Sequence, residues 1–157
     1  MSLKDAMSCF TTGVTVVTTV HEGQDWGMTC NSFNTVSLEP ALVLWSVRKA
    51  SQSHKAFVES GGYLVNVLEQ AQQGLAIQFS KGTQAERFAA ADRERRVSGR
   101  VWLPESMAWF DCRLWQVVPA GDHDILIGEV QDFGLRPAGR GLAYAQRRFG
   151  TLAESMA

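Results

Sequence analysis

Several kinds of feature are scarce or missing in this chain. Cysteine is rare, with Cys9, Cys30 and Cys112 the only three in 157 residues. They are odd in number and widely scattered, which excludes a disulfide framework and any zinc-ligand spacing. Such usage fits a reduced cytoplasm, the expected location. Charge of either sign is not in excess: 15 basic and 16 acidic residues leave a formal charge of −1. That balance predicts no nucleic-acid partner and no attraction to an acidic membrane surface. There is no apolar run near 18 residues, so no membrane-spanning helix is expected. The N-terminus, Met1-Ser2-Leu3-Lys4-Asp5, has no basic-then-apolar leader pattern.

Catalytic signatures are missing too. No stretch fits G-x-G-x-x-G; Gly139-Arg140-Gly141 begins that way, but Tyr144 occupies the third glycine position. There is no P-loop and no Gly-x-Ser-x-Gly elbow. His21, His54 and His123 lie far apart in sequence, and neither a metal site nor a catalytic side chain is assigned. Any catalysis therefore rests on a bound cofactor that the protein positions.

What is present reads as one β-rich domain covering residues 1–157. Apolar residues make up 45% of the chain, enough for one sizeable core. Val14–Val20 is β-branched throughout and predicts a strand. Trp26–Asn34, Ala41–Val47, Tyr63–Leu68, Met107–Val118, Asp124–Phe133 and Leu142–Tyr144 predict further strands. Short helices are expected over Leu3–Phe10, from His54 to Val58, and over Gln72–Ser80 and Gln84–Ala91. Asp92–Arg100, rich in both charges, reads as a solvated surface segment. In Met107–Val118, Phe110, Cys112 and Leu114 fall on one face, and Asp111 and Arg113 on the other. Helices confined mainly to the middle third, without regular alternation, argue for a predominantly β barrel or sandwich with peripheral helices.

The stretch from Gly27 to Pro40 organises the functional reading. Six of its side chains carry hydroxyl or amide groups, interleaved with Met28, Phe33, Val36 and Leu38. It reads as a strand that leaves the sheet, exposes polar groups and returns, either as a ligand-holding loop or as a plain polar connection. Downstream, Ser37, Arg48, Lys49, Ser51 and Ser53, with a helix start beside them, would make a phosphate cradle. A solvated turn is the alternative for Arg48 and Lys49.

Four ordered pieces together resemble the flavin reductase-like family, the FMN-binding split barrels. They are Phe10-Thr11-Thr12-Gly13-Val14-Thr15-Val16-Val17-Thr18, Gly27 to Pro40, Gly62 to Leu68 followed by Gln72 to Ser80, and Gly121-Asp122-His123-Asp124 to Val130. Ala41, Cys30, Ser53 and Phe149 stand where Pro, Ala, Thr and Tyr are common in that family. The resemblance implies a Greek-key split β-barrel with flanking helices, built as a homodimer. It also implies a non-covalent flavin, FMN or FAD, and NADH or NADPH as hydride donor. Reduced flavin would pass to a separate monooxygenase component. The residues expected at the flavin are Met28, Thr29, Cys30, Asn31, Ser32, Ser37, Leu38, Arg48, Lys49, Ser51, Ser53, Phe79 and Ser80. Phe79 has core packing on Leu75 as an equal alternative, and Cys30 is expected to be passive. His123, in the Gly-Asp-His turn, is expected at the nicotinamide, with a hairpin-capping role as its alternative. The rival readings of function are a flavin-binding module without reductase turnover and a cofactor-free barrel.

Overall fold

The structure, a computed structural model, describes residues 1–153. Its elements in chain order are helix α1 (Leu3–Ser8) and strands β1 (Thr12–Gly13), β2 (Thr15–His21), β3 (Gln24–Cys30), β4 (Asn34–Leu38) and β5 (Ala41–Arg48). Helix α2 (His54–Glu59), strand β6 (Gly62–Val67), a 3-10 turn at Gln70–Gln72, and helices α3 (Gln73–Gln78) and α4 (Gln84–Ala89) follow. Strands β7 (Glu94–Arg95), β8 (Val101–Trp102), β9 (Ala108–Ala120), β10 (His123–Leu135), β11 (Leu142–Ala145) and β12 (Arg148–Thr151) complete it. The protein is mainly β with peripheral helices, as expected.

Seven strands form one antiparallel sheet in the order β3-β2-β6-β9-β10-β5-β4. The β5-to-β6 connection jumps the β9–β10 hairpin, a Greek-key type of path. β3 and β4 lie at opposite edges, yet only residues 31–33 separate them. Flat, seven strands would set those edges roughly 29 Å apart. The link from Cys30 to Asn34 reaches about 14 Å at most. The sheet must therefore roll until its edges approach. Ser32 seals the seam: its hydroxyl accepts from the Ser46 N–H at 2.9 Å and lies 3.3 Å from the Ser46 carbonyl.

This geometry corrects the reading of the Gly27–Pro40 stretch. Most of the anticipated polar loop is strand β4, paired with β5 and shifted in register between Thr35 and Ser37. That irregularity breaks the period-two pattern by which a strand is recognised in sequence. The strand β12 was also unanticipated; it pairs with β11 across the turn at Gln146 and Arg147.

β2 explains why its sequence is uniformly β-branched: both faces are covered. Val17 faces the barrel interior with Trp45, Val47, Tyr63, Val65 and Leu126, closed at one end by Phe57 of α2. Trp45 meets the Phe57 and Tyr63 rings edge-on, with centroids 4.7 and 5.8 Å away. Val16 points the other way, into a second core with Ala76, Phe79, Phe88, Leu103 and Leu142. That outer core fixes α3 and α4 against β2 and β3.

The charged segment 92–100 is not simply solvated. Arg100 forms a 2.8 Å ion pair with Asp111, whose side chain is 6% exposed, and Ser98 also donates to that carboxylate. Arg96 lies over Trp109, 4.1 Å from the ring centroid. Asp111, placed by alternation on the face opposite Phe110 and Cys112, is buried because this segment folds back over β9. Period-two reading assumes that one sheet face meets water, and here an excursion covers it.

Candidate functional site

Thr29, near the end of β3, is where the barrel meets the outer helices. Its backbone N–H donates to the Phe79 carbonyl at 3.1 Å, and its hydroxyl donates to the Ala76 carbonyl at 2.6 Å. The last turn of α3 thereby spends orphan carbonyls on the strand. Gly27 permits the approach: a Cβ there would fall 2.8 Å from the Phe79 ring. Phe79 is fully buried and packs edge-on against Phe88 at 5.0 Å, in keeping with the core-packing alternative. Ser80 follows it, with its hydroxyl bonded to the Ile77 carbonyl. Two clefts open here and share Thr29 and Ser80 in their linings.

The first cleft, about 280 Å³, is lined by Met28, Thr29, Arg48, Ala50, Ser51, Phe79, Ser80 and Arg87. Two guanidinium groups face it, and no acidic side chain is among its lining residues. Arg87 donates to the Gly27 carbonyl at 2.8 Å and to the Lys81 carbonyl at 3.0 Å, and burial lowers its pKa from the ordinary value. Positive charge partly withdrawn from water, without a carboxylate partner, favours an anionic ligand.

Ser53, expected in the phosphate cradle, is not among the residues lining this cleft. It is only 3% exposed and accepts from Gln84 at 3.2 Å, while Gln84 accepts from the Gly27 N–H at 2.8 Å. Ser53 occupies the N-cap position of α2 without a side-chain capping bond. The Lys49 backbone donates to Asp122, and its ammonium does not line the cleft. His123 is the cross-strand partner of Arg48, with Nδ1 2.7 Å from the Asp122 carboxylate. That contact, followed by the charge of His123, holds the Asp122 carboxyl below its usual range. His54 meets Asp124 at 2.6 Å and ties α2 to the same end of β10.

The second cleft, about 350 Å³, is lined by Val14, Thr29, Cys30, Asn31, Ala76, Ile77, Ser80, Tyr144, Arg147 and Phe149. Tyr144 and Phe149 stand 5.1 Å apart as a tilted aromatic pair. The structure thus brings together Met28, Thr29, Cys30, Asn31, Arg48, Ser51, Phe79 and Ser80 around one junction. Ser32 is spent on the seam with Ser46, and Ser37 and Leu38 belong to edge strand β4, lining neither cleft. Residues that sequence reasoning missed are Arg87, Ala76, Ile77, Tyr144 and Arg147. Their motifs are ordinary helix and hairpin sequence, and only the fold carries them to Thr29.

Burial pushes the Cys30 thiol up, although Thr15 lies 3.0 Å from its sulfur and opposes the shift. Burial likewise pushes Cys112 up, to about 12. Cys9 is exposed. With an aromatic disulfide reagent at neutral pH, Cys9 is expected to react alone in the native protein, and all three only after denaturation. Rapid native labelling of Cys30 would contradict the passive role given to it.

The rolled β-sheet thus carries a cationic cleft and an aromatic one that share Thr29 and Ser80. The chain matches the family model described as flavin reductase like domain over residues 7–153, and it belongs to that family. It is 40% identical over 155 residues to the reductase component of a flavin-dependent trigonelline monooxygenase from Acinetobacter baylyi, covering 98% of this chain and 49% of that relative. This chain therefore spans about half the length of that protein. It is 43% identical over 129 residues to an FMN reductase (NADH) of Agrobacterium fabrum, covering 82% of this chain and 73% of the relative. Among solved structures, the Streptomyces globisporus NADH:FAD oxidoreductase in complex with NAD and FAD fragments superposes with a TM-score of 0.94 at 33% identity. That match covers 99% of this chain and 93% of the other.

Proposed function

We propose that this chain is an NAD(P)H-dependent flavin reductase that supplies reduced flavin to a separate monooxygenase component. The observation that carries the reading is the joined pair of clefts, one with Arg48 and Arg87 and no acid, the other with an aromatic wall. The donor set fits the flavin: guanidinium groups and the Ser51 hydroxyl suit its phosphate, and the strand end at Thr29–Asn31 offers backbone groups to its ring. A bound flavin supplies the hydride acceptor, and reduced nicotinamide supplies the hydride. The protein's part is to hold and orient. Arg48 and Arg87 would hold the charged end, and Thr29 and Ser80 would form the wall shared by the two clefts. Residues 30 and 31 line the ring end without a strong acid or base. Hydride transfer rewards such positioning more than proton transfer, in keeping with the missing catalytic triad.

His123 is assigned to the nicotinamide nucleotide. Asp122 holds its Nδ1, leaving Nε2 for a ligand amide or ring contact. In His123→Ala, flavin affinity should be unchanged and kcat/KM for NADH or NADPH should fall about 10- to 100-fold, the loss of one or two hydrogen bonds. Normal NADH and NADPH kinetics in that variant would make His123 a turn residue only.

A homodimer is part of the same proposal. Edge strand β4 exposes Val36 at 47% and Leu38 at 91%, and Phe133 and Leu135 are exposed at the end of β10. Apolar surface of this kind is what symmetric pairing covers. Sedimentation at micromolar concentration should give a dimer; a monomer would remove this element. Among the described residues no helix is long and apolar enough to cross a membrane, and no cysteine is in a disulfide. A cytoplasmic location is proposed on the latter ground. The function itself is tested by flavin-dependent oxidation of NADH and NADPH by the purified protein.

A further inference from the structure

We propose that Arg147 binds a phosphate of the nicotinamide nucleotide and that Asp5 is an internal anion that competes for it. The inference rests on the flavin reductase reading. If the flavin phosphate takes Arg48 and Arg87 and the flavin ring takes the Thr29–Asn31 wall, the opposite wall of the aromatic cleft, with Tyr144, Arg147 and Phe149, is left for the second substrate. The lining of that cleft contains one charged side chain, that of Arg147. A nicotinamide dinucleotide carries flat rings and phosphates together, which matches an aromatic pair beside a lone guanidinium.

Three observations single out Arg147. First, it sits at a backbone position that arginine does not favour. Gln146 and Arg147 form the β11–β12 turn with φ of 49° and 63°, both left-handed. A glycine would occupy that conformation without strain, so the side chain at 147 is kept at a cost. Second, the turn is pinned in place. The Gln146 N–H donates to the Ser8 carbonyl at 2.6 Å, and β1 pairs with β11 through Thr12 and Tyr144. The guanidinium therefore projects from a fixed rim, not from a free loop tip. Third, Arg147 already holds a carboxylate, Asp5 of α1, at 2.8 Å. This pair is exposed, with 65% and 46% of the two side chains accessible, so it is weak and exchangeable. A nucleotide phosphate presents more charge and more acceptor oxygens than Asp5 does, and can displace it.

The test uses FMN-loaded protein and two variants. Arg147→Gly removes the guanidinium and relieves the left-handed strain, so it should fold at least as well as the parent. Asp5→Asn removes the internal competitor. Binding of NAD+ and NADP+, which do not react with oxidised flavin, is read by titration calorimetry, alongside KM for NADH and NADPH. Arg147→Gly should weaken nucleotide binding about tenfold, the effect of one charge-assisted hydrogen bond. FMN affinity should stay the same, the kinetic loss should fall on KM, and the dependence of KM on salt should flatten. Asp5→Asn should tighten nucleotide binding about two- to fivefold, in the range of an exposed ion pair. That gain should vanish in the double variant. A loss with both nucleotides assigns the pyrophosphate; a loss with NADP+ alone assigns the 2′-phosphate; either supports the proposal. Unchanged nucleotide binding in a folded Arg147→Gly variant overturns it while leaving the reductase reading intact. A loss of FMN affinity equal to that of NAD+ also overturns it, by moving Arg147 to the flavin. Failure of the parent protein to oxidise NADH or NADPH with flavin would instead remove the reading beneath it.

Discussion

Arg48→Ala should bind FMN about 10- to 100-fold more weakly, because a charge-assisted hydrogen bond to phosphate contributes about 1.5–3 kcal/mol. Riboflavin, which lacks the phosphate, should keep its affinity. The comparison isolates the charged end of the ligand from any damage to the barrel. Arg48 suits this test because it ends β5 and its side chain makes no hydrogen bond among the described residues, whereas Arg87 also ties Gly27 and Lys81 together. The double variant Arg48→Ala, Arg87→Ala should lose more than either alone, though less than the sum, since both groups serve one phosphate. Equal weakening of FMN and riboflavin would show that Arg48 shapes the cleft without meeting phosphate.

The second large effect is on stability. Asp111→Ala should destabilise the protein by about 3–5 kcal/mol, the cost of stranding a buried charge after its partner is removed. Arg100 is 17% exposed, and its other nearby acceptor is the Cys112 carbonyl at 3.4 Å. Removing both charges with Asp111→Ala, Arg100→Met should recover much of that loss, because no charge is then left unpaired. Urea unfolding reads the effect as a lower midpoint at a constant slope. A single-variant loss under about 1 kcal/mol would place the pair among ordinary surface bridges.

That pair also shows what the sequence does and does not disclose. Alternation along β9 puts Phe110 and Cys112 on the inner face, and the structure agrees. Alternation says nothing of what covers the outer face. There the fold of residues 92–102 decides the fate of Asp111, bringing Arg100 and Ser98 to its carboxylate. β2 is legible because its β-branched run is the direct signature of a strand covered on both faces. β4 is not, because a register shift and exposed side chains at Val36 and Leu38 leave little pattern to read.

The same contrast holds at the site. Thr29, Cys30, Asn31, Arg48, Ser51, Phe79 and Ser80 lie in stretches whose composition or family resemblance marks them, and they line the two clefts. Arg87, Tyr144 and Arg147 reach the same junction from α4 and the last hairpin. In sequence Arg87 is one cation in an amphipathic helix, and Arg147 is one of two adjacent arginines. Their placement follows from the outer core around Phe79 and Phe88 and from the pairing of β1 with β11. Such contacts join residues far apart in the chain, and local periodicity does not report them.

The central claim is reductase turnover on a two-part cleft. Its most direct test is to mix purified protein with FMN and, separately, with FAD, and to follow oxidation of NADH and NADPH. The account predicts catalytic nicotinamide oxidation that depends on added flavin, with reduced flavin formed when oxygen is excluded. Flavin binding without sustained oxidation of either nicotinamide would contradict it and leave a flavin-binding module.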